Sequence, residues 1–373
     1  MITIGAHNII SPLGWSSKEN FDHVLKGRSG IKKHDNTKLS DTPLQASLID
    51  EGLLEQEVEK YPSLKSYSKL EQLGILSLMP IVNTVDIKSE RTGFVFSSTK
   101  GNVEYLCETE LNKDVLLANA AKNIADYFDF KTEPHVISNA CISGLAAIIV
   151  AKRWITAGIY DDVIVVGADV LSKFIVSGFQ SFQSLSANPC KPFDKDRDGL
   201  TLGEGVASVV ITNSHNSDEN SECIEVVNGA ISNDANHISG PSRTGEGLYR
   251  AIKNSVSDGS IIDVISAHGT ATPYNDDMES QAISRSGLTE VPVNGLKGFF
   301  GHTLGAAGLI ESLISIMAMQ NDVLIGTKEL VCQGVVAPIN VLKENEPKKQ
   351  KGLLKLMSGF GGCNAAVYFK KHG

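Results

Sequence analysis

Residues 141–149, Cys141-Ile-Ser-Gly-Leu-Ala-Ala-Ile-Ile, share a pattern with residues 302–310, His302-Thr-Leu-Gly-Ala-Ala-Gly-Leu-Ile. In both stretches a glycine stands at offset +3 from the first residue, and apolar residues stand at offsets +7 and +8. This spacing of apolar residues predicts a helix in each stretch. Strand-like runs follow at residues 163–169 and 323–326. This repeated pattern favours a duplicated α/β architecture, although α/β units resemble one another in any case.

Short β-rich runs alternate with helical stretches along the rest of the chain. Strands are predicted at 92–97, 163–167, 206–212, 224–231 and 262–266, and the first residues of the chain predict another. The polar segment 213–222 predicts a surface turn, and residues 343–351 predict a charged loop before a last pair of strands. No Pro- or Ser-rich linker divides the chain, so we expect its halves to pack together.

The composition argues against several classes of function. Of the 373 residues 42% are hydrophobic, which is enough for a large core. The net charge of -9 argues against generic nucleic-acid binding. Apolar runs such as residues 145–151 are far shorter than the roughly 20 residues of a membrane-spanning helix. We therefore expect neither nucleic acid nor membrane as a partner, and the first residues lack the features of a signal peptide.

The cysteines predict single thiols rather than a zinc site or a disulfide framework, because no two of them form a CxxC pair. They are Cys107, Cys141, Cys190, Cys223, Cys332 and Cys363. Scattered single thiols fit a reducing, cytoplasmic location.

Cys141 is the first candidate catalytic residue. It lies between a short predicted strand, residues 135–137, and the helix that follows. The positive end of the helix dipole and its unpaired N–H groups favour the thiolate, which is the nucleophilic form of cysteine. The alternative is a free cysteine that packs as a small buried hydrophobe.

Two histidines are further candidates. His268 follows a strand in a loop of small residues that could hold an imidazole over a cleft, and His302 opens the second helix. An imidazole at a helix N-terminus tends to stay neutral, because the dipole opposes a positive charge. A neutral imidazole can donate one hydrogen bond to an oxyanion. Either histidine could instead serve the structure alone, by capping or packing.

Lys297 would be costly to bury without a counter-ion. Glu279 and Glu311 are both candidate partners, although all three residues could equally be solvated.

The glycine-rich run Gly359-Phe-Gly-Gly-Cys-Asn near the C-terminus has a single bulky residue. Its glycines allow close approach to a ligand, so Phe360 could line or close a tunnel and offer its N–H to an oxyanion hole. The alternative is an ordinary turn.

The order and spacing of the motifs resemble the β-ketoacyl synthase family of the thiolase superfamily over nearly the whole chain. The motifs that carry the resemblance are Ile10-Ile-Ser-Pro-Leu-Gly, Gly27-Arg-Ser-Gly-Ile, Ala140-Cys-Ile-Ser-Gly, Cys190-Lys-Pro-Phe-Asp-Lys-Asp-Arg-Asp-Gly, Gly203-Glu-Gly, Asp234-Ala-Asn-His, His268-Gly-Thr-Ala-Thr-Pro, residues 297–308 and Gly359-Phe-Gly-Gly-Cys-Asn. The resemblance implies a duplicated thiolase-like α/β fold of five layers, α/β/α/β/α, usually as a dimer. The expected halves are residues 1–212, with the nucleophilic cysteine, and residues 213–373, with the two histidines and the lysine.

The resemblance also implies roles for individual residues. Cys141 would accept the acyl group, and the oxyanion hole and gate would comprise Cys141, Phe360 and Gly361. His268 and His302 would drive decarboxylation and condensation. The remaining implied residues are the family lysine with its acidic partners, Lys297, Glu279 and Glu311, and the pantetheine-contacting threonines, Thr270 and Thr272.

The implied activity is that of an acyltransferase. A cysteine-bound acyl group would condense with malonyl-acyl carrier protein, with loss of carbon dioxide, in fatty-acid or polyene and polyketide elongation. The substrates would arrive on the phosphopantetheine of an acyl carrier protein, so no metal or redox cofactor is expected. The other partner would be a second copy of the chain or a related ketosynthase-like subunit. Lys60, Lys65 and Lys69 form a basic stretch where acidic carrier proteins bind this family, or else a solvated face.

Several positions depart from the family's pattern, among them the motif Ser97-Ser-Thr-Lys-Gly-Asn, which replaces a more glycine-rich apolar run. A second aromatic residue usually stands where this chain has Ser358, and threonine stands where it has Cys363. Lys100 falls where a hydrophobic residue commonly limits the depth of the acyl tunnel, which argues against a long saturated acyl chain. These departures favour a specialised synthase, for example one for polyene or aryl-polyene pigments, over housekeeping fatty-acid elongation.

Other functions compete with this interpretation. A non-catalytic chain-length-factor-like subunit usually lacks the nucleophilic cysteine, whereas this chain has Cys141 and both histidines. A degradative thiolase uses a second catalytic cysteine, and Cys363 invites that comparison although its context matches the synthase loop. Condensing enzymes with acyl-CoA primers usually have Asn in place of His302.

Overall fold

The computed structural model describes residues 1–107, 113–213, 222–237 and 240–373. The α-helices are α1 (Ser17–Leu25), α2 (Glu51–Glu59), α3 (Lys69–Leu78), α4 (Leu117–Phe128), α5 (Ser143–Thr156), α6 (Lys173–Ser181), α7 (Glu246–Ser255), α8 (Pro273–Arg285), α9 (Lys297–Phe300) and α10 (Ala307–Gln320). Short 3-10 helices span Pro62–Ser66, Val82–Thr84, Val103–Cys107, Lys113–Val115 and Leu304–Ala306. The strands are β1 (Ile2–Ile10), β2 (Ile31–His34), β3 (Leu44–Ser47), β4 (Thr92–Ser97), β5 (His135–Ile137), β6 (Asp162–Asp169), β7 (Leu202–Gly203), β8 (Gly205–Asn213), β9 (Cys223–Asn233), β10 (Val264–Ser266), β11 (Pro292–Asn294), β12 (Val323–Leu324), β13 (Asn340–Val341), β14 (Glu346–Pro347), β15 (Gly352–Gly359) and β16 (Cys363–His372).

The largest sheet repeats one strand pattern twice. Its order is β13-β11-β10-β15-β16-β9-β1-β8-β6-β4-β5. In the first unit β4 is parallel to β5 and β6, and β8 is antiparallel to β6 and β1. In the second unit β10 is parallel to β11 and β15, and β16 is antiparallel to β15 and β9. The antiparallel pair β1–β9 joins the units. The duplicated fold is confirmed, and the boundary between residues 212 and 213 stays a prediction.

Side-chain alternation along the strands separates the layers, because successive residues of a strand point to opposite faces. Val163 and Val165 of β6 belong to the core around α5 and α10. Ile164 and Val166 belong to the core beneath α3 and α4. In the second unit Leu354 of β15 packs in a third core with α7 and α8. The molecule therefore has five layers, as expected. They follow in the order α3 with α4, the first half of the sheet, α5 with α10, the second half of the sheet, and α7 with α8.

Helices α5 and α10 meet through glycine in the central layer. A Cβ atom on Gly144 would lie 2.8 Å from the carbonyl oxygen of Gly305 and 2.9 Å from the amide nitrogen of Leu309. A Cβ atom on Gly308 would lie 2.6 Å from the amide nitrogen of Leu145. Because any larger residue would collide with backbone atoms, these glycines set the distance between the two helices.

The strand predicted at 323–326 is present but shorter, and it lies in a different sheet from the one that the repeated pattern suggests. The run at 323–326 does not continue the second unit: its first two residues form β12, which pairs with β14 in a separate two-stranded sheet. The strand in the place of β6 is β15, which lies beside β10. An excursion of the chain, residues 321–351, separates α10 from β15, and a short apolar run carries no information about which sheet it joins.

The other coarse predictions agree with the described residues. The strands on either side of the turn predicted at 213–222 are β8 and β9, while residues 214–221 of that turn lie outside the described residues. Residues 346–347 of the predicted charged loop form β14. Across the described ranges, no helix is long and apolar enough to cross a bilayer.

We predict that Gly144→Ala destabilises the protein by about 1–3 kcal/mol, because the added methyl group meets backbone that cannot rotate away. Urea denaturation followed by circular dichroism measures the free energy of unfolding. Gly178→Ala in α6 is the control, since a Cβ atom there meets nothing within 4 Å. An equal stability of the two variants would contradict the role given to the glycine contact.

Candidate active site

Cys141 lies at a sharp turn between β5 and α5. Ala140 has a left-handed backbone with φ of 44°. The hydroxyl of Ser143 donates to the carbonyl of Ala140 at 2.6 Å and accepts the N–H of Asn139 at 2.8 Å. These bonds close the turn and leave Cys141 7% exposed, in the wall of a cavity.

The structure brings Cys141, His268 and His302 together. Sγ of the cysteine and one nitrogen of each imidazole lie within 4.8 Å of one another. The two imidazole rings meet edge-on, with their centroids 5.2 Å apart. All three residues line a cavity of about 390 Å³. Thr270 and Thr272, predicted to contact pantetheine, line the same cavity, and their hydroxyl oxygens lie 2.9 Å apart.

A backbone contact determines which nitrogen of His302 carries the proton. The N–H of Leu304 donates to Nδ1 at 3.3 Å. Nδ1 is therefore an acceptor, and the proton of the neutral ring lies on Nε2. Nε2 is buried and has no hydrogen-bond partner within the part of the chain that the structure describes. His302 thus offers an unused donor at the cavity.

Lys297 holds His268 in the same tautomer. Its Nζ lies 3.1 Å from Nδ1 of His268 and also donates to the carbonyl oxygen of that residue at 2.5 Å. Of the two acidic partners left open by the sequence, Glu311 pairs with Lys297 at 2.7 Å, and both side chains are buried. Glu279 instead accepts the N–H groups of His268 and Gly269 at 2.7 Å each, which fixes the histidine loop.

Burial and a neighbouring cation keep both imidazoles neutral. Burial lowers the pKa of His268 and of His302 well below the ordinary value, and the charge of Lys297 lowers both further. The sequence attributed the neutrality of His302 to the dipole of its helix. In the structure a 3-10 turn separates His302 from the start of α10, and burial is the main cause.

The expectation of a thiolate at Cys141 is not supported. Burial raises the pKa of the Cys141 thiol to about 11, although the charge of Lys297 and the N–H of Phe360 act in the opposite direction. The cost of placing a negative charge in the buried cavity exceeds what the charge of Lys297 and the N–H of Phe360 return. The resting residue is therefore a thiol, whose proton has to leave during acyl transfer.

The aromatic neighbours of Phe360 come from α6 and its C-terminal end. The Phe179 ring stacks on Phe360 with centroids 5.5 Å apart, and the Phe182 ring meets it edge-on at 5.2 Å. Ser358, where the family's second aromatic is absent, donates its hydroxyl to Asn364 at 2.8 Å. Residues distant in sequence thus supply the aromatic contact, and sequence analysis missed them because no local spacing links them to the loop.

Gly361 does not line the cavity, although its neighbours Phe360 and Gly362 do, so its predicted role in the oxyanion hole and gate stays a prediction. It is exposed, and its carbonyl accepts the side chain of Asn233 at 3.0 Å. Gly361 itself has a left-handed backbone, with φ of 83°. Lys100 is also exposed and does not line the cavity, although its charge lowers the pKa of Cys141.

The basic stretch is largely engaged by carboxylates. Lys60 pairs with Glu57 at 2.7 Å, and the half-buried Lys69 pairs with Glu204 at 2.8 Å. Lys65 shares the wall of a groove with three glutamates of α2. Of the two interpretations of this stretch, a face of compensated charge describes it better than a free basic patch.

Two buried charges escaped sequence analysis. Lys355 of β15 contacts the second carboxylate oxygen of Glu311 at 2.6 Å. Asp169, at the end of β6, accepts the hydroxyl of Ser98 at 2.8 Å and the N–H of Gly305 at 2.6 Å. The one available signal was a lysine inside the apolar run of a strand, which is unusual for a charged residue.

Models of a known protein family match both halves of this chain. The model of the β-ketoacyl synthase N-terminal domain matches residues 89–216, and that of the C-terminal domain matches residues 223–330. Together they cover more than half of the chain, which therefore belongs to the β-ketoacyl synthase family.

A curated relative supports the same assignment, and two solved structures share the fold. The 3-oxoacyl-[acyl-carrier-protein] synthase 2 of Coxiella burnetii is 27% identical over 410 residues, which cover 99% of this chain and 98% of the relative. A β-ketoacyl synthase from Burkholderia phymatum has a similar structure, with a TM-score of 0.87, 24% identity and coverage of 99% of each chain. A ketosynthase from Xenorhabdus doucetiae, solved in complex with its chain length factor, gives a TM-score of 0.84 at 24% identity, covering 99% of this chain and 97% of that one.

We predict that the rate of Cys141 alkylation by iodoacetamide rises about tenfold per pH unit from pH 7 to 10, because a thiol with a pKa near 11 is still mostly protonated there. Peptide mass spectrometry measures the rate at Cys141, with the exposed Cys332 of the same chain as an internal reference. An alkylation rate that levels off below pH 8 would contradict this prediction and support the thiolate expected from the sequence.

Proposed function

We propose that this chain catalyses the decarboxylative Claisen condensation of an acyl group on Cys141 with malonyl-acyl carrier protein, giving 3-oxoacyl-acyl carrier protein. One observation carries the proposal: a cysteine sulfur shares a buried cavity with two imidazoles within 4.8 Å, and both imidazoles accept at Nδ1 and keep their proton on Nε2. Membership of the β-ketoacyl synthase family supports the same reaction.

The first half-reaction transfers the acyl group. The Cys141 sulfur forms a bond to the thioester carbonyl carbon, and the carrier's thiol leaves with the proton that the cysteine gives up. The N–H groups of Cys141 and Phe360 stabilise the oxyanion, and the latter already donates towards the Cys141 sulfur. Each donor of this kind typically contributes roughly 10²–10³ in rate. The first carrier departs before the second binds, which gives ping-pong kinetics.

The second half-reaction forms the new carbon–carbon bond. When carbon dioxide leaves malonyl thioester, the electron pair of the broken bond forms an enolate. The Nε2–H groups of His268 and His302 donate to the enolate oxygen and stabilise it within the buried cavity. The carbanion carbon then forms a bond to the acyl-Cys141 carbonyl carbon, and the bond between that carbon and the cysteine sulfur breaks. The departing sulfur takes one proton from the solvent, so each condensation consumes one proton.

An acyl carrier protein is the proposed substrate carrier. Its phosphopantetheine arm would lie along the hydroxyls of Thr270 and Thr272 in the cavity wall. The proposed structural partner is a second copy of the chain or a related ketosynthase-like subunit. We place the protein in a reducing compartment, the cytoplasm, because its described cysteines are free thiols.

The proposed reaction uses no metal or redox cofactor, since the thioester and the departing carboxylate supply the driving force. Cys141, His268 and His302 are close enough to hold a metal ion. However, both imidazoles carry a proton on Nε2, and the Lys297 ammonium lies 3.1 Å from His268 and repels a cation. These features favour hydrogen-bond donation over metal ligation.

Cys141→Ala is expected to abolish condensation and acyl loading. Incubation with acyl-acyl carrier proteins of varied length and unsaturation, followed by intact-protein mass spectrometry, reports the loading site and the preferred acyl group. Cys363→Ser is the matched control: its hydroxyl can replace the thiol that contacts the carbonyls of Asn139 and Phe360, so loading and turnover are retained. Loss of activity in the control would favour a thiolase.

Cys141→Gln is expected to lose condensation and keep malonyl decarboxylation, because the two imidazoles remain in place. Release of carbon dioxide from malonyl-acyl carrier protein is the measurement. Adding His302→Ala should lower that release by roughly 10²-fold, as removal of one oxyanion donor does elsewhere. Decarboxylation that survives unchanged in the double variant would remove His302 from the mechanism.

A further inference from the structure

A second lysine shares the carboxylate that neutralises Lys297. Lys355 is fully buried, and its Nζ lies 2.6 Å from Oε2 of Glu311, while Nζ of Lys297 lies 2.7 Å from Oε1. One carboxylate therefore holds two ammonium groups, one on each oxygen. Two buried cations on a single anion are costly, so the arrangement calls for a reason beyond stability.

The position of Lys355 on its strand directs it towards the active site. Its neighbours Leu354 and Leu356 belong to the outer core with α7 and α8. Leu353 and Met357, on the same face as Lys355, belong to the central core that contains α5 and α10. An apolar residue at this position would continue that face, so the lysine is the exception in an otherwise apolar pattern.

The contacts of Lys355 run parallel to those of Lys297. Lys355 donates to the carbonyl of Ala267 at 3.0 Å, and Lys297 donates to the carbonyl of the next residue, His268, at 2.5 Å. Ser266 pairs with Lys355 across β10 and β15. Two consecutive carbonyls directly after β10 thus each accept a hydrogen bond from one lysine, and Glu311 forms an ion pair with both lysines.

We propose that Lys355 is a positioning residue of the condensing centre: through Glu311 and the Ala267 carbonyl it fixes Lys297 against Nδ1 of His268, so that His268 offers Nε2–H to the substrate. This inference rests on the proposed function, and Lys355 itself does not line the cavity.

The charges around Lys355 support this role. Its charged neighbours are Glu311 on α10, Lys297 on α9 and Glu279 on α8, and its own pKa is lowered mainly by burial. Its positive charge lowers the pKa of both His268 and His302. Lys355 therefore opposes the protonation at Nδ1 of His268 that would repel Lys297.

The test compares the two half-reactions in Lys355→Met, which keeps a long side chain and removes the charge. We expect malonyl decarboxylation, measured in the Cys141→Gln background, to fall about tenfold, which corresponds to ~1.4 kcal/mol. Loading of Cys141 by acyl-acyl carrier protein should change by less than about threefold, because it depends on N–H groups rather than on His268. Leu353→Met, a buried change on the same strand face, is the control and should alter neither reaction.

The pH dependence of malonyl decarboxylation distinguishes a loss of charge from a loss of packing, because a loss of packing alone would not shift it. Removing a positive charge raises the pKa of the nearby imidazoles, so their protonation begins at a higher pH. The acid limb of the decarboxylation profile should therefore move to higher pH in Lys355→Met, by about one unit. Equal losses in both half-reactions, or an acid limb that stays in place, would overturn the proposal.

A failure of the proposed function is distinguishable from a failure of this inference. If the Cys141→Gln parent has no decarboxylase activity, the proposed function is contradicted. The role of Lys355 can then still be tested without substrate, from the ¹⁵N NMR signals of the His268 ring, which are assigned by comparison with His268→Gln. The inference requires the Nε2–H tautomer to persist to lower pH in the parent than in Lys355→Met. If that variant does not fold, Lys355→Gln replaces it, and failure of both to fold would make Lys355 a structural residue and sink the inference.

Discussion

The glycine contact between α5 and α10 is the constraint on which the active site depends. Cys141 and His302 each stand three residues before a glycine of this contact, Gly144 and Gly305. The atoms that meet across it are backbone atoms, which cannot rotate away from a larger side chain. The distance between the two helices therefore sets the distance between sulfur and imidazole, and the duplicated sheet supplies the third side chain from the loop after β10.

Burial gives the site its electrostatic character. A buried cavity disfavours every charged form, so the imidazoles stay neutral and the Cys141 thiol keeps its proton at rest. Glu311 lies between the two buried lysines and pairs with both of them. The same desolvation that weakens the nucleophile at rest strengthens each hydrogen bond to an oxyanion or enolate during the reaction.

Sequence patterns predicted the helices and the motif residues correctly. They did not predict features that depend on contacts between distant segments of the chain. The repeated pattern of residues 141–149 and 302–310 predicted both central helices, and the sequence motifs predicted the cysteine and the two histidines. The partner of Lys297 stayed open, because Glu279 and Glu311 both lie at plausible separations. The aromatic contacts of Phe360 were missed, since Phe179 is far away in the chain.

The sequence by itself determined the duplicated fold, the family and the identity of the reactive side chains, because helical spacing, strand alternation and motif order are local properties of the chain. Tertiary structure alone decided the protonation of Cys141, the tautomers of His268 and His302 and the shared carboxylate of Lys297 and Lys355. These depend on burial and on distances between segments that are far apart in sequence, and neither quantity is a property of any single segment.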